Sequence, residues 1–460
     1  MATIAHAGGF DKNKAFSDAK VLAQYWSPQD IEQTCHRHNH LWRDRFWNPF
    51  RTIWTFLTQV MHVGSSCRAA VAMALSHWAQ EAMADRLSPD PAAYCQARRR
   101  LPLEVLRDGV ATVGRALQQE WAQTLRWCQR NVWLVDGTTC SMPDTPDLQE
   151  AFGQPGGQKP GCGFPVARIV AMFCWASGAV IEVAVGPYRT SELALWRQLW
   201  HLLTPGDIVL GDRFFCTFFD MVKLLWSGCD GVFRLHQKRP ADFRQGRRLG
   251  KNDRLMTWQR PTWSARPRGM RKREWRRLPL QLTVRILRIP VDIPGFRSRT
   301  IDVATSLTDP VAYPYQRIAS LYRDRWLVEL RLRDLKTTLG MDILRAKTPD
   351  VVGKEIYMHL LGYNLIRCLM SQAAWRYKRN LHELSFAGTV DRLNATAPYF
   401  WLYEGQPAAA TLYELLLRWI AHDTLPYRPN RIEPRAVKRR PKEYARLTRP
   451  RHRMQKALVK

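Results

Sequence analysis

The stretch from Asn131 to His236 constrains this chain more than any other. "NVWLVDG" reads as a short buried strand ending at Asp136, and "PDTPDLQEAFGQPGGQKPGCGFP" after it is too rich in Pro and Gly for regular structure. "ARIVAMFCW" and "AVIEVAVG", joined by "ASG", form two β-rich runs, the pattern of a buried hairpin. A helix, "SELALWRQLWHLL", then leads to a strand, "DIVLGD", that ends at Asp212. A second helix, "FFDMVKLLW", leads to the strand "GVFRLH". The order β-β-β-α-β-α-β sets a three-stranded meander ahead of βα units, which predicts an α/β domain with a mixed sheet flanked by helices. The most apolar run, residues 169–185, is interrupted by Ser-Gly and carries Glu182. It is also shorter than the ~20 residues a membrane-spanning helix needs.

Charge narrows the partner. The chain has 460 residues, room for two or three domains, and a net charge of +30. From Gln237 to Arg299 there are 19 Lys/Arg and 4 Asp/Glu, and from Leu425 to Lys460 there are 13 and 2, so these two segments hold 26 of the 30 net charges. Such a surplus attracts polyanions, nucleic acid above all, and makes binding salt-dependent. The ten cysteines are scattered with no CxxC pair, and "MATIAHAGGF" lacks a charged start followed by an apolar run. Free thiols in a reducing cytoplasm are therefore expected. "CHRHNH" at 35–40 has no second ligand pair at zinc-finger spacing and reads as a basic helix start.

Three regions are expected. Residues 1–128 are helical, with apolar periodicity in "RTIWTFLTQVMH" and "RAAVAMALSHWAQEAMADRL", and "SPDPAAYCQARRRLP" gives a loop and a short basic helix. This region either contacts DNA or serves as a helical scaffold. Residues 129–385 form the α/β domain, interrupted at about 237–300 by a basic, β-rich inserted subdomain that holds Trp258, Trp263 and Trp275. Residues 386–460 form a helical region with a basic, Pro-rich tail that is mobile when free.

Phosphodiester chemistry draws on carboxylates brought together at one sheet edge, because hard divalent cations take oxygen ligands. Asp136 and Asp212 end two strands, and a third carboxylate is sought in "YPYQRIASLYRDRWLVELRLRDLKTTLG", which reads as one long helix closed by Gly340. At 100° per residue with Tyr322 at 0°, Arg325 falls at about 300°, Glu329 at about 340° and Lys336 at about 320°. Asp324 and Asp334 fall at about 200° and 120°, off that stripe. The plainer readings stay open at this point. Arg325, Glu329 and Arg333 also fit an i,i+4 ion-pair ladder, and an Asp before Gly is often a turn residue. Spacing does not exclude Asp144, Asp147, Asp207 or Asp220 as ligands.

The pattern Y-x2-R-x3-E-x6-K, met by Tyr322, Arg325, Glu329 and Lys336, resembles the signature of bacterial insertion-sequence DDE transposases of group four. These are cut-and-paste enzymes that include hairpin-forming members. "DGTTCSMPDTPDLQEAFG" is similar to the region of the family's first Asp, "GDRFFC" to that of its second, and "KTPDVVGKEIYMHLLGYNLIR" to the segment after its Glu. "LTQVMHVGSSCRAAVA" and "DPAAYCQARRRLP" resemble its N-terminal region, so the likeness spans roughly residues 34–425. The 117 residues between Asp212 and Glu329 fit a β-rich insertion into a ribonuclease H-like core, whose element order the central segment also matches.

The resemblance implies that Asp136, Asp212 and Glu329 bind two Mg²⁺, with Mn²⁺ as a substitute. It implies that Tyr322, Arg325 and Lys336 grip phosphates near the transposon end. Arg333 stays undecided between phosphate contact and ion pairing. One of Trp258, Trp263 and Trp275 would stack on a flipped base. The implied partners are duplex DNA, as terminal inverted repeats and as target, and a second copy of the chain in a dimeric synapse, in the nucleoid-associated cytoplasm of a bacterium. The rival readings are a structure-selective nuclease or resolvase on the same fold, which cuts without joining, and a catalytically silent transposase-derived DNA-binding protein, which should lack an acidic ligand.

Overall fold

A computed structural model describes residues 25–458 except 44, 80–87, 123, 292–298, 404 and 427–446. The chain gathers into two compact units. One contains residues 1–117, 334–341 and 350–426, and the other residues 118–333, 342–349 and 427–460.

The first unit is helical. Its N-terminal helices are Pro28–Arg37, Pro49–Met61, Cys67–His77 and Ala92–Arg100, followed by Leu103–Ala122. Local chemistry sets their starts. Ser27 and Asp30 form a capping box, and Asn48 accepts the Arg51 N–H at 2.9 Å ahead of Pro49. The Pro349–Arg376 helix is buried along most of its length and forms the unit's spine. Trp54, Phe46, Ala74 and Trp78 pack as one cluster. "CHRHNH" ends a helix rather than starting one. Cys35 is buried inside Pro28–Arg37, and His38 Nε2 lies 3.0 Å from an Asp108 carboxylate oxygen.

The second unit holds a nine-stranded sheet in the order β3-β2-β1-β4-β5-β9-β8-β7-β6. Its strands are β1 Val132–Ser141, β2 Val166–Cys174, β3 Val180–Pro187, β4 Ile208–Gly211, β5 Asp230–Arg234, β6 Arg247–Gly250, β7 Asp253–Gln259, β8 Gln281–Pro290 and β9 Thr300–Thr305. β1, β2 and β3 pair antiparallel, while β1, β4 and β5 pair parallel. This is the expected ribonuclease H-like core. Val132–Val135 and all of β4 are buried, as continuous apolar strands covered on both faces should be. At Gly211 an added Cβ would lie 2.9 Å from Val135 Cγ1, so glycine allows β4 to approach β1 closely just before Asp212.

Four expectations are revised. β1 does not end at Asp136: it leaves β4 after Val135 but stays paired with β2 to Ser141. The Pro/Gly-rich stretch contains a helix, Pro146–Phe152, started by Pro at its first turn and capped by Thr145. The basic insertion is β-rich, yet its strands continue the central sheet, since β9 pairs with β5 and β8 with β9. Part of the tail is ordered: Arg451–Leu458 is helical, and Arg451 Nε sits 3.2 Å from Asp144 Oδ2. The rest of the tail segment, 427–446, lies outside the described residues. Among the described residues, no helix is long and apolar enough to cross a membrane.

Candidate active site

Asp136 and Asp212 meet at one edge of the sheet because of strand register. Val135 pairs with Gly211 across the parallel β1–β4 ladder, and each is followed directly by an Asp. Adjacent strands are about 4.8 Å apart, which sets the two carboxylate-bearing residues side by side just past the last parallel pair of β1 and β4. Asp136 Oδ1 accepts the Gly137 N–H at 2.8 Å. Burial pushes the Asp136 pKa up to about 6. The Gly137 bond and Arg325 oppose the shift, and the Asp212 and Glu192 charges add to it. Asp212 begins a tight 3₁₀ turn, Arg213–Phe215, and stays partly exposed.

The third carboxylate arrives on a broken helix. The single helix expected from 313 to 340 is instead Tyr315–Arg323, then Trp326–Arg333, then a π-helical turn, Asp334–Thr338. At the break, Arg325 N–H bonds to Tyr322 O, Leu327 N–H to Asp324 O and Val328 N–H to Arg325 O, all i to i+3. The chain tightens there and is rephased, so the 100° count does not carry across it. Two contacts pin this region to the sheet. Trp175 Nε1 donates to Asp324 Oδ2 at 3.0 Å, and Arg331 donates to the Cys174 and Trp175 carbonyls at 2.9 and 3.0 Å. Asp324 is thereby a structural acceptor.

Glu329 lies within the second segment, which packs against β1, and Arg325 Nη2 donates to Glu329 Oε1 at 2.7 Å. The Arg325 charge also acts on Asp136 and on Asp212. Burial opposes that charge, but Tyr322, Glu329 and Asp212 outweigh it and raise the Arg325 pKa. Arg325 is therefore bonded to Glu329 and interacts electrostatically with Asp136 and Asp212. Tyr322 is buried, its pKa is pushed up chiefly by that burial, and its hydroxyl has no hydrogen-bond partner among the described residues. Lys336 falls on the π-helical turn, in the helical unit, and Arg333 is exposed at the end of the Glu329 helix.

The other aspartates are engaged in structure. Arg197 binds Asp220 through two bonds of 2.8 and 3.0 Å, and Asp220 is fully buried. Asp207 accepts from Trp133 Nε1 at 3.0 Å and from the Thr204 N–H at 2.9 Å. Asp144 holds Gln149 Nε2 and Arg451, and Asp147 lies in the first turn of its helix.

Glu192 was not among the expected residues. It begins the helix Glu192–Gln198, reaches Arg168 at 3.8 Å, and crosses over Gly137, where an added Cβ would meet its Cδ at 2.6 Å. The glycine after Asp136 was the signal that some group needs that space. The helix that delivers Glu192 comes 55 residues later, beyond the reach of local pattern.

Among the described residues, no three carboxylate, imidazole or thiol groups form a ready cation cage. The donor chemistry nonetheless fits a hard divalent ion. The site offers carboxylate oxygens, and the half-buried Asp136, whose pKa is raised by burial and by its acidic neighbours, would gain a counter-charge from such an ion. Among the tryptophans, Trp258 and Trp275 are buried, whereas Trp263 is 37% exposed, with the Arg266 guanidinium 4.0 Å from its ring centroid.

A mixed sheet of this order sets two carboxylates side by side, the type of oxygen ligand that metal-assisted phosphodiester chemistry uses. Residues 127–365 match the family model of the transposase DDE domain. The chain belongs to the family of DDE transposases. It is 27% identical over 364 residues to transposase InsG of insertion sequence element IS4 from Escherichia coli K12, covering 77% of this chain and 78% of that protein. A stretch of 54 residues is 41% identical to the transposase for insertion sequence element IS421 of Escherichia coli, covering 12% of this chain and 15% of that one. Among solved structures, a piggyBac transposase synaptic complex with hairpin DNA aligns with a TM-score of 0.43 and 10% identity, over 89% of this chain and 86% of that one.

Proposed function

We propose that Asp136, Asp212 and Glu329 form one centre that holds two Mg²⁺ and cuts and rejoins DNA at the inverted repeats of the element that encodes this chain. The observation that carries this reading is the side-by-side placement of Asp136 and Asp212, with Arg325 linking them to Glu329. When bound, the divalent ions supply charge neutralisation at the attacking and leaving oxygens. Glu329 must first leave Arg325, and the freed guanidinium is then available to a phosphate oxygen. The unpartnered Tyr322 hydroxyl is a donor of the same kind, and Lys336 adds a third phosphate contact.

Water attacks phosphorus at the element end, the P–O3′ bond breaks, and the 3′-oxygen leaves. The released 3′-OH next attacks phosphorus in the opposite strand and displaces the 3′-oxygen of the flanking DNA, which gives a hairpin on the element end. Water then opens the hairpin and frees the 3′-OH again, which attacks phosphorus in target DNA and displaces a target 3′-oxygen. Each step is an in-line displacement at phosphorus, so one positioned site serves all of them. Two copies act in the synapse.

The reading is tested with a DNA fragment carrying the gene's own flanks, incubated with the full chain and Mg²⁺. Joined strand-transfer products are expected. Cutting that never leads to joining would place the chain with structure-selective nucleases instead.

Trp263 is the residue proposed to stack on the flipped base, because its ring is far more exposed than those of Trp258 and Trp275. Trp263→Ala should lower hairpin yield by an amount equivalent to about 1–3 kcal/mol of stacking, with unchanged melting temperature. A normal hairpin yield would remove Trp263 from this role.

A further inference from the structure

A cavity of about 790 Å³ opens in the sheet unit, and none of Asp136, Asp212 and Glu329 lines it. It lies among the start of the Glu192–Gln198 helix, the start of the Phe218–Trp226 helix and the insertion segment from Pro261 to Trp275. Five arginines line it and no acidic residue does. One of them, Arg197, is neutralised by its two bonds to Asp220. Arg266 lies over Trp263. Arg189, Arg239 and Arg268 have no carboxylate partner among the described residues, and the first and last are exposed at the mouth. The Arg239 Nη1 is buried with no hydrogen-bond partner among the described residues, and its guanidinium lies 4.2 Å from the centroid of the Trp258 ring. Burial lowers the Arg239 pKa, the shift expected of a cation that lacks a counter-charge.

Like charges gathered around a concave, partly apolar surface raise the local positive potential and recruit an anion. Guanidinium forks match phosphate oxygens in geometry, and the volume lies in the range of small-ligand pockets. We propose that this cavity binds a phosphate-bearing group, held by Arg189, Arg239 and Arg268 against an apolar floor of Phe218, Phe219 and Trp275. The group is either a phosphate of a DNA strand or a free phosphorylated small molecule. The chemistry of recognition is the same for both. The site stands apart from the cleavage reading, since binding is measured without cleavage and without metal.

The test uses inorganic pyrophosphate as probe, titrated calorimetrically into the full-length chain without divalent metal. Saturable binding is expected, weakened about tenfold or more in Arg239→Gln and in the surface double variant Arg189→Gln/Arg268→Gln. Arg276→Gln, on the exposed insertion surface outside the cavity, should bind as the wild type does. The double variant alters only exposed side chains, so it reports even if Arg239→Gln folds poorly. A second arm measures the salt dependence of binding to a random-sequence duplex. If the occupant is a DNA phosphate, the slope of the double variant falls by about one per lost contact. If it is a free phosphorylated molecule, the slope is unchanged while pyrophosphate binding is lost. Pyrophosphate affinity equal in the wild type and both cavity variants, or no saturable binding at millimolar pyrophosphate, overturns the proposal.

Discussion

Replacing Glu329 by Gln should abolish strand cleavage, by about 10³-fold or more, while DNA binding and fold stability stay near wild type. Gln keeps the shape of the side chain but removes the charge that a divalent ion needs. The stability side follows from exposure. Glu329 is paired with Arg325 at 2.7 Å, yet its side chain is 38% exposed, and such an i,i+4 pair contributes only a few tenths of a kcal/mol. A large loss of activity with little loss of stability therefore separates a ligand from a rung in an ion-pair ladder. The neighbouring carboxylates are internal controls. Asp324→Asn keeps an oxygen for the Trp175 indole to donate to and should still cut, and Asp334→Asn should also cut. Undiminished Mg²⁺-dependent cleavage by Glu329→Gln would remove Glu329 from the centre.

The second large effect lies in the insertion. Asp253→Ala should lower folding stability by about 3–5 kcal/mol, read as a fall in the urea midpoint. Arg285 on β8 is fully buried and binds Asp253 on β7 through bonds of 2.9 and 2.6 Å. Its remaining nitrogen donates to the Tyr313 carbonyl at 2.7 Å, just ahead of the helix that carries Tyr322. Removing Asp253 leaves a buried guanidinium with carbonyl dipoles but no counter-charge. Replacing both partners together, as Asp253→Leu/Arg285→Met, should cost less than the single change, because the stranded charge disappears with its partner. A single variant within 1 kcal/mol of wild type would show that the carbonyls alone satisfy Arg285.

What could be read from sequence was set by short-range pattern. The β2–β3 hairpin, β4 and β5 follow from runs of residues whose alternation or apolarity is local. That Asp136 and Asp212 each follow a buried apolar run is legible in the same way, but their adjacency is not, because β4 pairs with β1 across the sheet rather than with β3, the strand that precedes it in the chain. The features that could not be read depend on distant partners. β1 extends past Asp136 because β2 continues beside it after β4 has ended. The helix breaks at Asp324 and Arg325, where the Trp175 indole is bonded to Asp324, and Trp175 is almost 150 residues away. The π-helical turn from Asp334 makes an ideal helical angle meaningless for Lys336, whereas Arg325 and Glu329, four residues apart, still meet. Glu192 came from a helix whose packing over Gly137 no spacing rule announces.

The central claim is that Asp136, Asp212 and Glu329 share one cation site. It is tested most directly by exchanging Mg²⁺ for Fe²⁺ in the DNA-bound chain, adding peroxide and ascorbate, and mapping where the polypeptide backbone is cut. Scission is expected close to Asp136, Asp212 and Glu329 together, suppressed by excess Mg²⁺ and lost at all three places in Glu329→Gln. Scission near the two aspartates that persists in Glu329→Gln, with none near Glu329, would contradict the account.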